Sequence, residues 1–174
     1  MSEKSQTILF LVRHGQTDHG YSQQANLDSQ RQLTLLGREQ SVAVGRYLAE
    51  FQPTAIYSSP LDRCRDMADI IRTEVGLKDD LVITKQLSEI YSTEPRQEAG
   101  ERGESIFETV LRDHRGEQVV AVTHQYIIGY VIAEYLGVGF RDVPCDFADI
   151  YRLVFADDTL VEATRLQPAQ AINN

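Results

Sequence analysis

Short apolar runs alternate with longer amphipathic stretches along this chain of 174 residues. The run Ile8–Val12 is apolar throughout and predicts a strand that is buried on both faces, as parallel strands usually are. Five further strands, the last two forming a hairpin around Asp157-Asp158, are predicted at 55–58, 81–84, 118–123, 150–155 and 160–166. The final eight residues, 167–174, are expected to fray.

The stretches between these strands carry signals that begin and end helices. Thr34, Ser59 and Ser105 are predicted N-caps, and Glu108 completes a capping box with Ser105. Helices are therefore predicted between Thr34 and Pro53, Ser59 and Gly76, Ser105 and Gly116, and from Gln125 to Gly137. We predict an α/β fold, a three-layer α/β/α arrangement with a mostly parallel central sheet. One domain is expected over residues 1–174, with its core at about 7–167.

Composition narrows the range of partners. The chain has 17 Lys and Arg against 26 Asp and Glu, a formal charge of −9, which repels nucleic acids and anionic membranes but not a small phosphorylated ligand. Its two cysteines, Cys64 and Cys145, form no disulfide framework and are expected to stay reduced. No apolar run is long enough to cross a bilayer, so we expect a cytoplasmic protein.

Positively charged and imidazole side chains follow three of the predicted parallel strands. Arg13 and His14 follow the first, Arg63 lies just beyond the second, and His124 follows the fourth. Ligands of such sheets bind beyond the carboxyl ends of the strands, where these side chains converge. One guanidinium group can donate to two phosphate oxygens at once, so the two arginines predict a phosphate pocket. No cluster with metal-ligand spacing accompanies it, and neither a metal nor another cofactor is expected.

The residues at these strand ends resemble the motifs of a known family. Arg13-His14-Gly15-Gln16-Thr17 is similar to the R-H-G-[QE]-T signature of the histidine phosphatase superfamily, the phosphoglycerate-mutase-like proteins. Further family motifs follow in family order: Leu33-Thr34-x-x-Gly37-x-x-Gln40, Ser58-Ser59-Pro60-Leu61-x-Arg63, Leu87-x-Glu89, Gly103-Glu104-Ser105 and Val122-Thr123-His124. The resemblance covers roughly residues 7–155 and implies a phosphoglycerate-mutase-like fold. Within the family, this chain is most similar to the branch of small phosphatases.

The resemblance also implies roles for these residues. His14 would be the nucleophile and would be phosphorylated transiently. Arg13, Arg63 and a protonated His124 would hold the phosphoryl oxygens, with help from the backbone N–H of Gln125.

A carboxyl group is needed to protonate the leaving alkoxide. Glu89 would protonate it and then activate water, and Glu94 is the competing candidate. Gln16 and Thr17 either donate to the phosphoryl group or hold their own loop. Glu104 either caps its helix or orients one of the site residues.

Several departures from the family pattern bear on the substrate. Gly20 stands where many members have Asn, and Gln125-Tyr126 replaces the usual Gly-Gly. The insert Ile90–Arg102 is short where mutases carry a cap, which predicts an open site. Three arginines are candidates for binding a second anionic group of the substrate: Arg31, Arg96 and Arg102.

Hydrolysis of small phosphomonoesters is the leading functional hypothesis. Protein phosphohistidine phosphatase activity, phosphoglycerate mutase activity and non-catalytic phosphate binding are the alternatives, in that order. The substrate would be a small phosphorylated metabolite or, alternatively, a phosphoprotein. The oligomeric state is open, although the 150–155 strand is a possible edge for pairing with a second chain.

Overall fold

The computed structural model describes residues 5–19 and 28–172. It contains six strands: β1 Gln6–Arg13, β2 Ala55–Ser58, β3 Val82–Ile83, β4 Gln118–Thr123, β5 Ile150–Ala156 and β6 Thr159–Leu166. They form one sheet in the order β3-β2-β4-β1-β5-β6. The pairs β3–β2, β2–β4 and β4–β1 are parallel, whereas the pairs β1–β5 and β5–β6 are antiparallel. The prediction of a mostly parallel sheet is confirmed.

Helices cover both faces of this sheet. They are α1 Leu35–Ala49, α2 Asp62–Val75, α3 Arg96–Glu104, α4 Ile106–Asp113 and α5 Gln125–Leu136. Buried side chains of α1 and α2 pack on one face of the central strands, and those of α4 and α5 pack on the other. Each helix thus buries its apolar stripe against the sheet, which gives the three layers that the sequence predicts. In the described part of the chain, no helix is long and apolar enough to cross a membrane.

Local predictions at several element ends need correction. Helix α2 begins at Asp62 and not after Ser59, whose hydroxyl accepts from the N–H of Leu61 at 3.3 Å in the turn before the helix. Ser105 is already helical and its hydroxyl bonds the carbonyl of Arg102, so it forms no capping box. The short insert, for which no helix was predicted, contains the start of helix α3, and Glu94 in the turn before the helix pairs with Arg102 within it.

The expectation about the sheet edge is wrong, and the expectation of fraying is wrong for the described residues 167–172. Strand β5 lies between β1 and β6, so β6 and not the 150–155 strand is the edge at this end of the sheet. The segment after β6 is packed, since Ala169 is 2% exposed and Gln170–Ile172 forms a 3-10 turn. Ala169 belongs to the same buried cluster as the side chains of α1 and α2, and residues 173–174 lie outside the described residues.

A close backbone approach positions the loop after β1. The N–H of Gly37 donates to the hydroxyl of Thr34 at 3.0 Å, which confirms Thr34 as the N-cap of α1. A Cβ on Gly15 would lie 2.5 Å from the Gly37 carbonyl oxygen, and one on Gly37 would overlap the Gln16 carbonyl oxygen. Both positions need glycine because the loop backbone lies directly against the first turn of α1.

Candidate active site

The parallel strands bring His14, Arg63, His124 and Glu89 together at their carboxyl ends. The Nε of Arg63 lies 3.2 Å from Nε2 of His14, and its Nη2 lies 3.2 Å from Nδ1 of His124. The two imidazole rings are 5.4 Å apart between centroids. A carboxylate oxygen of Glu89 lies 3.7 Å from Nδ1 of His124. Arg63 therefore links both histidines from the first turn of α2.

His14 has the protonation state of a nucleophile. Its Nδ1 lies 2.8 Å from the Gly15 carbonyl, which can only accept, so Nδ1 carries the ring proton. Nε2 then has a lone pair, which accepts from the guanidinium of Arg63. Burial, reinforced by the positive charge of Arg63, lowers the pKa of His14 well below its usual value. The ring is neutral at neutral pH and presents Nε2 to the site.

His124 is neutral as well, contrary to the sequence expectation. Burial and the charge of Arg63 lower its pKa well below its usual value. Because Arg63 donates to Nδ1, the proton lies on Nε2, which is 2.8 Å from the hydroxyl of Ser59. Burial and the neighbouring guanidinium thus disfavour the imidazolium that the resemblance implies.

Glu89 and Glu94 lie in opposite electrostatic environments. Burial raises the pKa of Glu89 to about 7, although the backbone N–H of Ile90 donates to its carboxylate at 3.0 Å and opposes the shift. Glu94 accepts two hydrogen bonds of 2.8 Å from Arg102, which lower its pKa. At neutral pH a large fraction of Glu89 carries a proton, whereas Glu94 is ionised. Glu89 is the better proton donor of the two.

Arg13 approaches the site from the end of β1. Its Nη1 donates to the carbonyl of Cys145 at 2.6 Å, and its guanidinium lies 4.1 Å from the centre of the Phe147 ring. Its buried Nε has no hydrogen-bond partner among the described residues. Phe147 also lies 5.8 Å from the ring of His14, so one aromatic side chain covers both groups. Sequence reasoning missed Phe147, because an isolated aromatic residue in a loop gives no signal.

A buried carboxylate, Asp28, holds Arg63 in place. Its carbonyl and its carboxylate accept from the two terminal nitrogens of Arg63, at 2.8 and 3.1 Å. The same carboxylate pairs with Arg31 at 3.1 Å, and Arg31 also donates to the hydroxyl of Thr17 at 2.7 Å. Arg31 is thus bound within the site's own framework. Sequence reasoning missed Asp28, which lies in a polar stretch with no periodic pattern, and Gly20 of that stretch lies outside the described residues.

The remaining predicted residues divide between the loop and the helix end. The side chain of Gln16 accepts from the hydroxyl of Thr34 at 2.8 Å, and Thr17 donates to the carbonyl of His19 at 2.9 Å. Both side chains therefore hold the loop, which is the second of the two roles considered for them. Gln125 is the first residue of α5 and is exposed beside His124.

No group of metal-ligating side chains occurs within the ranges that the structure describes.

Comparison with known proteins identifies the family. A family model described as histidine phosphatase superfamily (branch 1) matches residues 9–92 and 88–165. The chain belongs to this superfamily, as its motifs predict.

Two curated relatives illustrate how far the similarity extends. A glucosyl-3-phosphoglycerate phosphatase of Mycobacterium tuberculosis is 42% identical over 71 residues, which are 40% of this chain and only 31% of the relative. A metal-independent phosphoserine phosphatase of Arabidopsis thaliana is 26% identical over 156 residues, 70% of this chain and 66% of the relative. The match to the first relative thus spans less than a third of its length.

A solved structure shows the same fold over nearly the whole chain. The protein histidine phosphatase SixA, in complex with tungstate, superposes with a TM-score of 0.74. The match covers 94% of this chain and 99% of that one at 16% identity. At this level of identity the likeness concerns the fold, which is that of the histidine phosphatases.

Proposed function

We propose that this protein hydrolyses small phosphomonoesters through a phosphohistidine intermediate on His14. One observation carries the proposal: a neutral His14 Nε2 and a buried, partly protonated Glu89 lie on either side of His124, with Arg63 joining the two rings. A nucleophile, a cation and a proton donor thus lie together at the carboxyl ends of the parallel strands, and phosphoryl transfer needs all three groups.

The first step transfers the phosphoryl group to the enzyme. The lone pair of His14 Nε2 attacks phosphorus, and the bond between phosphorus and the ester oxygen breaks. Glu89 gives its proton to the departing alkoxide, so the alcohol leaves neutral. Arg13 and Arg63 offset the charge on the phosphoryl oxygens, and the unpaired Nε of Arg13 supplies one donor. The backbone N–H of Gln125, at the start of α5, supplies another.

The second step returns the enzyme to its starting state. The Glu89 carboxylate takes a proton from water, whose oxygen attacks phosphorus as the bond to His14 Nε2 breaks. Inorganic phosphate leaves, Glu89 is protonated again, and His14 regains its lone pair. His124 acts as a neutral hydrogen-bonding group between Arg63 and Ser59 throughout. No metal takes part in either step.

The substrate proposed is a small phosphorylated metabolite in the cytoplasm. Two phosphatases of small phosphorylated molecules are among the relatives, and the net charge of −9 disfavours nucleic acid and anionic membranes as partners. The short segment between Glu89 and α3 leaves little chain to close over the site. Hydrolysis is favoured over mutase chemistry, because a mutase must keep water from its intermediate.

A protein phosphohistidine phosphatase is the second candidate, favoured by the same short segment, which would admit a protein side chain. Imidazole leaves more easily than an alkoxide, so this chemistry needs a proton donor less. The protonated Glu89 therefore favours esters. Comparing wild type with Glu89→Gln on an alkyl phosphate and on a phosphohistidine peptide separates the candidates: a larger loss on the ester supports our proposal, and equal losses would argue against it.

The proposal is tested by hydrolysis of 4-nitrophenyl phosphate in the presence of a chelator. We expect His14→Ala to lower kcat by at least about a thousandfold, since the nucleophile is lost. The matched control is His114→Ala, which removes an imidazole that contacts Tyr57 and Glu117 and none of the site residues. Wild type should also form an acid-labile, base-stable phosphoenzyme that His14→Ala lacks. Turnover that survives in His14→Ala would overturn the mechanism.

A further inference from the structure

The loop Cys145–Asp149, just before β5, holds both Arg13 and His14. The N–H of Arg13 donates to the Asp149 carbonyl at 3.0 Å, and the N–H of Ala148 donates to the His14 carbonyl at 3.2 Å. The same loop supplies the carbonyl and the aromatic ring that contact the Arg13 guanidinium. The position of an arginine that faces the phosphoryl group therefore depends on this loop.

The side chain of Asp149 is a buried anion at the end of this loop. The residue is 2% exposed. Its carboxylate accepts from Nε and Nη2 of Arg165, at 2.8 and 2.6 Å, and from the backbone N–H of Asp146 at 2.7 Å. Gln167 donates to its other oxygen at 3.2 Å. A carboxylate this deeply buried needs a cationic partner, and within the described ranges Arg165 of β6 is the side chain that pairs with it.

Arg13 lies in the electrostatic field of the same carboxylate without pairing with it. In the part of the chain that the structure describes, Arg13 forms no ion pair, and its buried Nε has no hydrogen-bond partner. Burial lowers the pKa of Arg13, whereas nearby acidic groups, Asp146 and Asp149 among them, oppose this shift because they attract its guanidinium. Arg165 balances the charge of Asp149, and Arg13 keeps a free N–H donor.

We propose that Arg165 is a positioning residue for phosphate binding: it neutralises the buried Asp149 carboxylate and so keeps the Arg13 guanidinium available to the phosphoryl group. This inference rests on the proposed function, in which Arg13 binds that group. Arg165 acts through Asp149. Without Arg165, the buried carboxylate would draw the guanidinium of Arg13 toward itself and away from the substrate.

The test measures the affinity of the protein for inorganic phosphate by isothermal titration calorimetry, which needs no turnover. We expect Arg165→Ala to bind phosphate about tenfold more weakly, because the unpaired Asp149 carboxylate then competes for Arg13. Arg152→Ala is the matched control and should leave the affinity unchanged. Arg152 lies in the same hairpin and pairs with Glu162 at 3.0 Å, and the side chains of Arg152 and Arg165 are 26% and 25% exposed.

Removal of the carboxylate charge separates neutralisation from mechanical support of the loop. The double variant Arg165→Ala/Asp149→Asn has neither charge, so it should bind phosphate as tightly as wild type. If Arg165 only supported the loop, the double variant would bind phosphate no better than Arg165→Ala. Asp149→Asn alone should bind phosphate at least as tightly as wild type, and this variant keeps the test decisive if Arg165→Ala does not fold.

The outcomes distinguish this inference from the proposed function. Unchanged affinity in Arg165→Ala, no recovery in the double variant, or weaker binding by Asp149→Asn would overturn the role of Arg165 and leave the proposed hydrolysis standing. Phosphate affinities that follow the expected pattern in a protein that hydrolyses no phosphomonoester would contradict the proposed function and support the role of Arg165.

Discussion

The carboxyl group of Glu89 lies 3.7 Å from Nδ1 of His124, and both side chains are buried in the same site. The usual interpretation of such a contact is an ion pair. Here the surroundings oppose it: burial raises the pKa of Glu89 to about 7 and lowers that of His124 well below its ordinary value. The contact therefore joins a carboxyl group able to carry a proton with a neutral imidazole, next to the fixed charge of Arg63.

Glu89 should set the alkaline limb of the pH profile. Only its protonated form donates, so kcat/KM for an alkyl phosphomonoester should fall as the pH rises through about 7. Glu89→Gln should lower kcat/KM about a hundredfold and remove this limb. Glu94→Gln is the control, since Gln can still accept from Arg102. A limb that persists in Glu89→Gln and disappears in Glu94→Gln would reverse the assignment.

His14 should make the fold sensitive to acid. Its folded-state pKa lies below its unfolded value of about 6.5, so the stability it contributes is complete above that pH and is lost as the pH falls. Replacing it by Gln removes this dependence. The free energy of unfolding of His14→Gln, relative to wild type, should rise between pH 7 and pH 5 in urea titrations. A relative free energy of unfolding that stays constant between pH 7 and pH 5 would contradict this expectation.

Arg63 acts through its geometry as well as its charge. Its nitrogens reach His14, His124 and Asp28 at once, which the single ammonium of lysine cannot do. Arg63→Lys should lower kcat about a hundredfold and reduce stability by about 2 kcal/mol, because Asp28 loses hydrogen bonds while it stays buried. Arg72→Lys, on the exposed side of the same helix, is the matched control for both measurements. Near-wild-type kcat in Arg63→Lys would show that charge alone suffices.

Gly37 should couple helix α1 to the catalytic loop. A Cβ there would overlap the carbonyl of Gln16, so Gly37→Ala must push the loop after β1 away from α1 and displace His14. We expect lower thermal stability together with a loss of kcat. Gly76→Ala is the control: it has a φ of 73° with open space around it, so it should cost about 1 kcal/mol of stability and leave kcat unchanged. Equal kcat values for both variants would contradict the coupling.

The periodic elements were predictable because each depends on neighbours in the chain. Helix α5 begins at Gln125 and ends at Leu136, before Gly137, whose φ of 66° is the left-handed conformation that glycine favours. Strand β3 has two residues, Val82–Ile83, where the sequence predicts a strand over 81–84. It lies at the edge of the sheet, and its exposed side chains gain little free energy from pairing. Ser59 precedes the helix instead of capping it, because its hydroxyl lies between the N–H of Leu61, at 3.3 Å, and Nε2 of His124, at 2.8 Å.

The sequence alone determined the order of strands and helices, the placement of His14, Arg63 and His124 at strand ends, and the family. These follow from short-range patterns of polarity and from motifs in which each residue type keeps its spacing. Tertiary structure decided the electrostatic surroundings of the two histidines, the opposite environments of Glu89 and Glu94, and the contacts of Asp28 and Phe147. Each of these depends on burial and on partners distant in the chain, because the free energy of a charge is set by what surrounds it in space.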